Sequence, residues 1–157
     1  MDCYEEMVDL ADLMGLEVIE KYFKSSVKGL CKGKKIGISK DIGSVVEKRC
    51  VLAEEIAHSL YTVGDILDLR NFQALKQEYF ARTKAYEFLV PIGSLVRAFL
   101  KHEHDPHEIA AELNVTDEVL RAALAHYARK YGEYRHGKYY VYFSPLMVCE
   151  TSHIKAI

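Results

Sequence analysis

Residues 49–60 read RCVLAEEIAHSL, a stretch that combines the spacing of a buried helix with three ionisable side chains in five residues. On the helix that includes this stretch, apolar residues recur every three or four positions, at Val46, Cys50, Ala53, Ala57 and Leu60. Glu54 and His58 lie four residues apart on a neighbouring face, with Glu55 beside them. Because such groups are rarely buried unless they pair or bind something, we expect the chemistry of the chain on this helix.

The limits of this helix follow from its neighbours in the sequence. Ser44 and Glu47 have the spacing of a capping box, so the helix begins there and runs to about Tyr61, where the sequence TVGD (residues 62–65) ends it. Upstream, residues 4–14 have helical spacing. Residues 16–23, 27–31 and 35–38 suit strands, and Gly33 supplies a hairpin turn. We therefore predict a small three-stranded antiparallel sheet whose edge can pair with an extended peptide.

Downstream, residues 71–89 predict a second long helix with a carboxylate in its apolar stripe. The stripe consists of Ala74, Glu78, Ala81, Ala85 and Phe88. A carboxylate at the centre of such a stripe requires a cation, a hydrogen-bond network or a metal. Glu78 is therefore a second candidate for the chemistry of the chain.

The last third of the chain has a different pattern. A short helix over residues 93–100 is followed by helices over 106–113 and 117–131, capped by Asp105 and Thr116, in an arrangement typical of a helix-turn-helix. Residues 134–143 suggest a terminal hairpin, and we expect the tail after Pro145 to be loosely held. The predicted domains are a core over residues 1–100 and a helical subdomain over 101–157.

The composition is that of an ordinary globular protein of 157 residues, 50% hydrophobic and 28% charged, which excludes a mainly disordered chain. A net charge of −2 provides no global basic field for nucleic acid or membrane. The four cysteines form no Cys-x-x-Cys pair, so a thiolate zinc site is not expected. The sequence suggests no signal peptide and no membrane-spanning run, and we expect a cytoplasmic protein.

The spacing of the ionisable residues matches the way zincin metallopeptidases hold their ion. Two ligands four apart on one helix are joined by a third from a following helix, with a Glu beside the first ligand as general base. Here Glu54, His58 and Glu78 would hold the metal, and Glu55 would be the catalytic base. The usual motif begins with His, whereas this chain has Glu54.

A longer part of the chain, roughly residues 4–131, resembles the ImmA/IrrE family of zincin-like metallopeptidases. The resemblance is carried by VLAEEIAH (51–58), TVGD (62–65), Glu78, Ala81, Ala85 and FLVP (88–91). Arg82 stands where Asn is usual, and a Glu-Glu-x-x-His version is associated with members from mobile elements of Gram-positive bacteria. The resemblance implies an α+β zincin-like core with a helix-turn-helix-like subdomain. It also implies a cytosolic endopeptidase that cleaves a DNA-binding repressor of a prophage or mobile element.

The expected cofactor is a divalent metal ion. Glu54, His58 and Glu78 form a ligand set of charge −2, whereas two His and one Glu give −1, so a bound water should be less acidified. Carboxylate enrichment shifts the preference towards manganese or iron, although zinc remains the expected ion. Glu55 would take a proton from this water and pass it to the leaving amine.

Each candidate residue also has a simpler interpretation. Glu54 and His58 are compatible with an i,i+4 surface pair, and Glu78 is spaced to pair with Arg82 on its own helix. Glu55 alone is compatible with a solvated helix position, and Tyr61 with packing. The pattern formed by His102, His104 and His107 suits solvated loop residues more than a metal site.

Two other classes of function remain open. One is a non-catalytic relative that binds a transcriptional regulator through the same cleft. The other is a DNA-binding module that uses residues 106–130. Asp117 and Glu118 begin its second helix, where they would repel DNA phosphates, which favours a structural or docking role for this segment.

Overall fold

The computed structural model describes residues 1–62, 72–102 and 105–151, which form an α+β protein as predicted. The chain divides into two compact units, Met1–Phe88 and Leu89–Ile157. These are units of packing, so the predicted division into domains at residue 100 stays a prediction. Among the helices that the structure describes, none is long and apolar enough to span a bilayer.

The described residues of the first unit form three helices and a small sheet, and these helices lie close to their predicted positions. Its elements are α1 (Cys3–Leu13), β1 (Glu17–Lys21), β2 (Gly29–Lys32), β3 (Lys35–Ser39), α2 (Val45–Tyr61) and α3 (Phe72–Leu89). Asp2 caps α1 by accepting hydrogen bonds from the amides of Tyr4 and Glu5. Ser44 caps α2 by accepting from the amide of Glu47, so the predicted start of this helix is confirmed. Residue 71 and residues 63–65, which were part of the sequence predictions, lie outside the described residues.

The sheet of the first unit is mixed, and the prediction of an antiparallel sheet was wrong. β3 lies between the other two strands, parallel to β1 and antiparallel to β2. A parallel pair requires a long crossover, and residues 22–34, which include β2 itself, provide it. The most apolar strand takes the centre, because Ile36 and Ile38 of β3 are fully buried while the two outer strands alternate between half-buried and exposed.

Helix α2 packs on α1 and on the sheet, and this position decides which of its residues are buried. The predicted stripe is confirmed at Cys50, Ala53 and Ala57, but Leu60 is exposed. Leu52 and Ile56 are buried instead, because a helix with neighbours on two sides buries more than one narrow stripe. Leu60 lines an apolar groove of this unit.

In the second unit, residues 89–102 and 105–151 form three helices and an antiparallel sheet. Its elements are α4 (Ile92–His102), α5 (Pro106–Glu112), α6 (Asp117–Lys130), β4 (Glu133–His136), β5 (Tyr139–Phe143) and β6 (Leu146–Glu150). Asp105 and Thr116 cap α5 and α6, as predicted. The predicted hairpin corresponds to β4 and β5.

Residues 146–150 correct the expectation of a loosely held tail. They form β6, in which Leu146 pairs with Phe143 and Val148 pairs with Val141. Val141 and Phe143 are buried, so these pairs extend the apolar side of the sheet. Residues 152–157 lie outside the described part of the chain.

Candidate active site

The candidate site lies where α2 and α3 approach each other in the first unit. Ala57 of α2 is buried in one cluster with Ala81 and Ala85 of α3. The distance between packed helices depends on the size of the side chains at their contact, so three alanines permit a close approach. Because His58 follows Ala57 and Glu78 lies one turn before Ala81, this contact brings the two polar side chains together.

His58 and Glu78 face each other across the two helices. The His58 Nδ1 atom lies 3.3 Å from Glu78 Oε2, and the two side chains are only 14% and 23% exposed. Nδ1 is buried and has no hydrogen bond among the described residues, since its approach to Glu78 lacks hydrogen-bond geometry. Burial lowers the pKa of His58 against the opposing effect of Glu78, and Arg82 lowers it further. The pair thus presents an unsatisfied nitrogen and a carboxylate oxygen to each other.

The second oxygen of Glu78 is held by Arg82. Arg82 Nη2 lies 2.9 Å from Glu78 Oε1 and donates a hydrogen bond to it. The i,i+4 pair suggested by the sequence is therefore present, together with the contact to His58. Glu78 connects a guanidinium on its own helix with an imidazole on the neighbouring one.

Glu55 is the most strongly perturbed carboxyl group of the site. Burial, together with the negative charges of Glu54 and Glu78, raises its pKa from 4.5 to about 7. The interpretation of Glu55 as a solvated helix residue does not hold for this environment. A carboxyl group with a pKa near neutrality can accept and return a proton at physiological pH.

Strand β2 lies directly against Glu55. A Cβ atom at Gly29 would come within 2.8 Å of Glu55 Oε1 and 2.7 Å of Val51 Cγ1, so only glycine fits at this point without a shift. The Cys31 thiol donates a hydrogen bond to the carbonyl oxygen of Gly33. Burial, followed by the charge of Glu55, raises the pKa of this thiol. No spacing pattern in the sequence assigns Gly29 or Cys31 to the site. A glycine inside a predicted strand was the available signal, because it often marks a close approach.

The backbone of β2 is also available at the edge of the sheet. The amide of Ser39 donates to the carbonyl oxygen of Lys28, so these two residues form a hydrogen-bonded pair of the antiparallel ladder. Hydrogen-bonded and non-hydrogen-bonded pairs alternate, so Gly29 and Cys31 are in non-hydrogen-bonded pairs with β3. Gly29 and Cys31 consequently direct their peptide groups away from β3. An extended peptide can pair with these groups while it passes beside Glu55.

The site has the types of donor atom that bind divalent metal ions, but only two of them face each other in the described residues. An unsatisfied imidazole nitrogen and a carboxylate oxygen 3.3 Å apart are suitable as two ligands of one ion. Within residues 1–62, 72–102 and 105–151, no group of three or more potential ligands is gathered into a preformed metal site. Glu54, one helical turn before His58, is the predicted third ligand, and its role stays a prediction.

The other candidate residues have separate environments. His102 ends α4 and its side chain is 18% exposed, so the expectation of a solvated loop residue was wrong for it; its Nε2 lies 3.1 Å from Glu112 Oε2 on the next helix. His107 is exposed, and its Nδ1 lies 2.8 Å from Asp117 Oδ2 on the next helix. His104 lies outside the described residues. The Tyr61 ring packs edge-on against Phe80 with centroids 5.5 Å apart, in agreement with a packing role.

A small sheet with a helix on it that carries Glu55 and His58, followed by a helix that carries Glu78, defines the class of zincin-like metallopeptidases. The model of one peptidase family, the IrrE N-terminal-like domain (Peptidase_M78), matches residues 11–125 and so includes every residue of the candidate site. The chain belongs to this family. No curated protein gives a significant match to the chain.

Proposed function

We propose that this protein is a metal-dependent endopeptidase that cleaves a DNA-binding repressor and thereby relieves repression of a prophage or mobile element. The observation that carries the peptidase part is the apposition of His58 and Glu78 at 3.3 Å beside Glu55. Membership of a peptidase family supports the same activity. The repressor as substrate comes from the sequence resemblance.

The proposed ligands are His58, Glu78 and Glu54. His58 and Glu78 already face each other, and Glu54 shares a helix with His58. A divalent ion held by these groups supplies a Lewis acid that polarises the scissile carbonyl and lowers the pKa of a water. Zinc is the expected ion, with manganese or iron as alternatives for a carboxylate-rich set.

Glu55 is the proposed general base. Its carboxylate accepts a proton from the attacking water and delivers this proton to the nitrogen of the leaving amine. Its pKa of about 7 belongs to the metal-free site, and a bound divalent ion would lower this pKa and favour the carboxylate form that accepts the proton.

Strand β2 is the proposed docking edge for the substrate backbone. A peptide paired with Gly29 and Cys31 has its backbone aligned by main-chain hydrogen bonds. Because Gly29 has no side chain, Glu55 lies directly against β2, and a peptide aligned on this strand would pass near its carboxyl group. The edge of β2 would therefore position a scissile bond next to Glu55. Because main-chain hydrogen bonds do not depend on side chains, substrates of different sequence could be aligned in this way.

A second candidate function is the binding of a transcriptional regulator without cleavage. Arg82 occupies one oxygen of Glu78, and the described residues do not gather three ligands, which favours this alternative. The two candidates differ in one outcome, because only the peptidase produces new peptide termini.

The test is a cleavage assay with metal-replete protein and a mixed peptide library, with new termini identified by mass spectrometry. We expect cleavage by the wild-type protein and a 10²–10⁴-fold lower kcat/KM for Glu55→Gln, the usual contribution of a general base. Glu47→Gln is the matched control, since Glu47 lies on the same helix and pairs with Lys28. Equal cleavage by wild type and Glu55→Gln, or no cleavage by either, would contradict the peptidase proposal.

A further inference from the structure

Arg82 is a cation placed on the carboxylate that we propose as a metal ligand. Its guanidinium holds Oε1 of Glu78, while Oε2 of the same group faces His58. The Arg82 side chain is 50% exposed, whereas the Glu78 side chain is 23% exposed, so the guanidinium approaches the site from the solvent side. The Glu78 carboxylate therefore contacts Arg82 with one oxygen and His58 with the other.

The charges around Glu78 explain why a cation is stabilising there. Glu54, Glu55 and Glu78 are close enough for the first and third to raise the pKa of the second. The charge of Arg82 also reaches across to His58. A guanidinium in contact with this cluster reduces the mutual repulsion of the carboxylates.

The same contact has an opposite effect on metal binding. A divalent ion and a guanidinium are both attracted to the negative charge of Glu78, and each reduces the electrostatic attraction available to the other. Because the two contacts use different oxygens, they are able to coexist. The positive charge of Arg82 nevertheless remains next to the bound ion and repels it.

We propose that Arg82 is a built-in counter-ion that sets the metal affinity of the site: it stabilises the acidic cluster in metal-free protein and weakens the binding of the ion. This inference rests on the proposed function, because it requires that Glu78 ligate a metal. It assigns to Arg82 the role of a positioning residue that acts through Glu78. The chain thereby gains a site that is stable without metal and exchanges its ion more readily.

The test is a calorimetric titration of zinc into chelator-treated wild-type, Arg82→Gln, Arg82→Ala and Arg82→Lys proteins at 0.1 M salt. We expect roughly tenfold tighter binding by Arg82→Gln and Arg82→Ala, the scale for one half-exposed unit charge near a divalent ion. Arg82→Lys retains the charge and should stay within about threefold of wild type. A thermal melt without metal should place Arg82→Gln below wild type, and saturating zinc should remove this difference.

Lys84→Gln is the matched control. It removes one positive charge from the same helix, but Lys84 is paired with Glu87. Its zinc affinity should stay within about threefold of wild type, because solvent and salt screen a charge that does not touch the ligand. Arg82→Gln binding zinc as wild type does, or more weakly, overturns the counter-ion proposal. Failure of the proposed function gives a different result, in which wild type and every variant leave the zinc unbound.

Discussion

The site helices and the α5–α6 segment each carry a histidine–carboxylate pair between two helices, and only the first pair is largely shielded from solvent. His58 and Glu78 are 3.3 Å apart and 14% and 23% exposed, whereas His107 and Asp117 are closer, at 2.8 Å, but 79% and 50% exposed. Water screens the second pair almost completely, so its shorter distance contributes little. Burial, more than distance or number of charges, distinguishes the two regions.

The polar residues of the α5–α6 segment are used for local structure. Asp105 accepts hydrogen bonds from the amides of His107 and Glu108, and Thr116 accepts from the amide of Val119. These side chains satisfy the first amides of two helices. In the site, by contrast, the buried Nδ1 of His58 has no hydrogen bond among the described residues. The contrast predicts that substitutions in the two regions have effects of very different size.

The largest effect on stability is expected for Glu55→Gln in metal-free protein. The folded pKa of about 7 lies above the ordinary value of 4.5, so the folded state retains a proton that the unfolded chain loses. The contribution of Glu55 to the free energy of unfolding is fully present below pH 4.5 and is lost as the pH rises through 7. Since Gln resembles the protonated form, the variant should be more stable than wild type by about 3 kcal/mol at pH 8.

Urea unfolding of both proteins in chelator at pH 8 and pH 4.5 measures this difference. The difference should shrink to below about 0.5 kcal/mol at the lower pH, where Glu55 is protonated in the folded state and half protonated in the unfolded state. A difference that is the same at the two pH values would contradict the assignment of a buried, perturbed carboxyl group to Glu55.

Gly29→Ala should have the next largest effect. The added Cβ would meet Val51 Cγ1 at 2.7 Å and the Glu55 side chain at 2.8 Å, so β2 or α2 has to shift. Overpacking of this kind costs about 1–3 kcal/mol, and the shift of Glu55 should also reduce cleavage. Denaturant unfolding together with the cleavage assay checks both effects.

Gly43→Ala is the control for this substitution, because apart from its two chain neighbours no described residue has an atom within 4 Å of a Cβ at that position. It should change stability by less than about 0.5 kcal/mol. If Gly29→Ala behaved like Gly43→Ala in both assays, the close contact between β2 and Glu55 would be refuted.

The smallest effect is expected for His107→Ala, which removes the exposed pair with Asp117. An ion pair this exposed contributes about 0.2–1 kcal/mol, so the free energy of unfolding should hardly change. Chemical denaturation at pH 6 and in 0.5 M salt measures it. A loss above about 2 kcal/mol would remove the contrast between the two regions.

The sequence was sufficient for the elements whose signals are local. Helix α2 could be placed from its apolar spacing and from Ser44, and the pairing of Glu78 with Arg82 from their separation of four. Local signals do not determine which strand lies in the centre of a sheet, because this depends on contacts between distant segments. For that reason β1 was expected to be antiparallel to its neighbour and is parallel to β3.

Two further features could not be predicted from local sequence patterns. The contact of Gly29 with Glu55 joins residues 26 positions apart, and no periodicity predicts it. The exposure of Leu60 results from the arrangement of α2 between α1 and the sheet. In both cases the tertiary packing, rather than the helix or strand itself, decides the environment of the residue.

The central claim is that His58 and Glu78 hold a metal ion, and the most direct test is zinc binding by wild-type and Glu78→Gln proteins after removal of all metal. Replacing groups that merely support a ligand costs 10–100-fold in affinity, so loss of a ligand should cost roughly a hundredfold or more. We predict one zinc ion bound per wild-type chain and binding at least a hundredfold weaker in the variant. Equal affinity in the two proteins, or no binding by the wild type, would contradict the account.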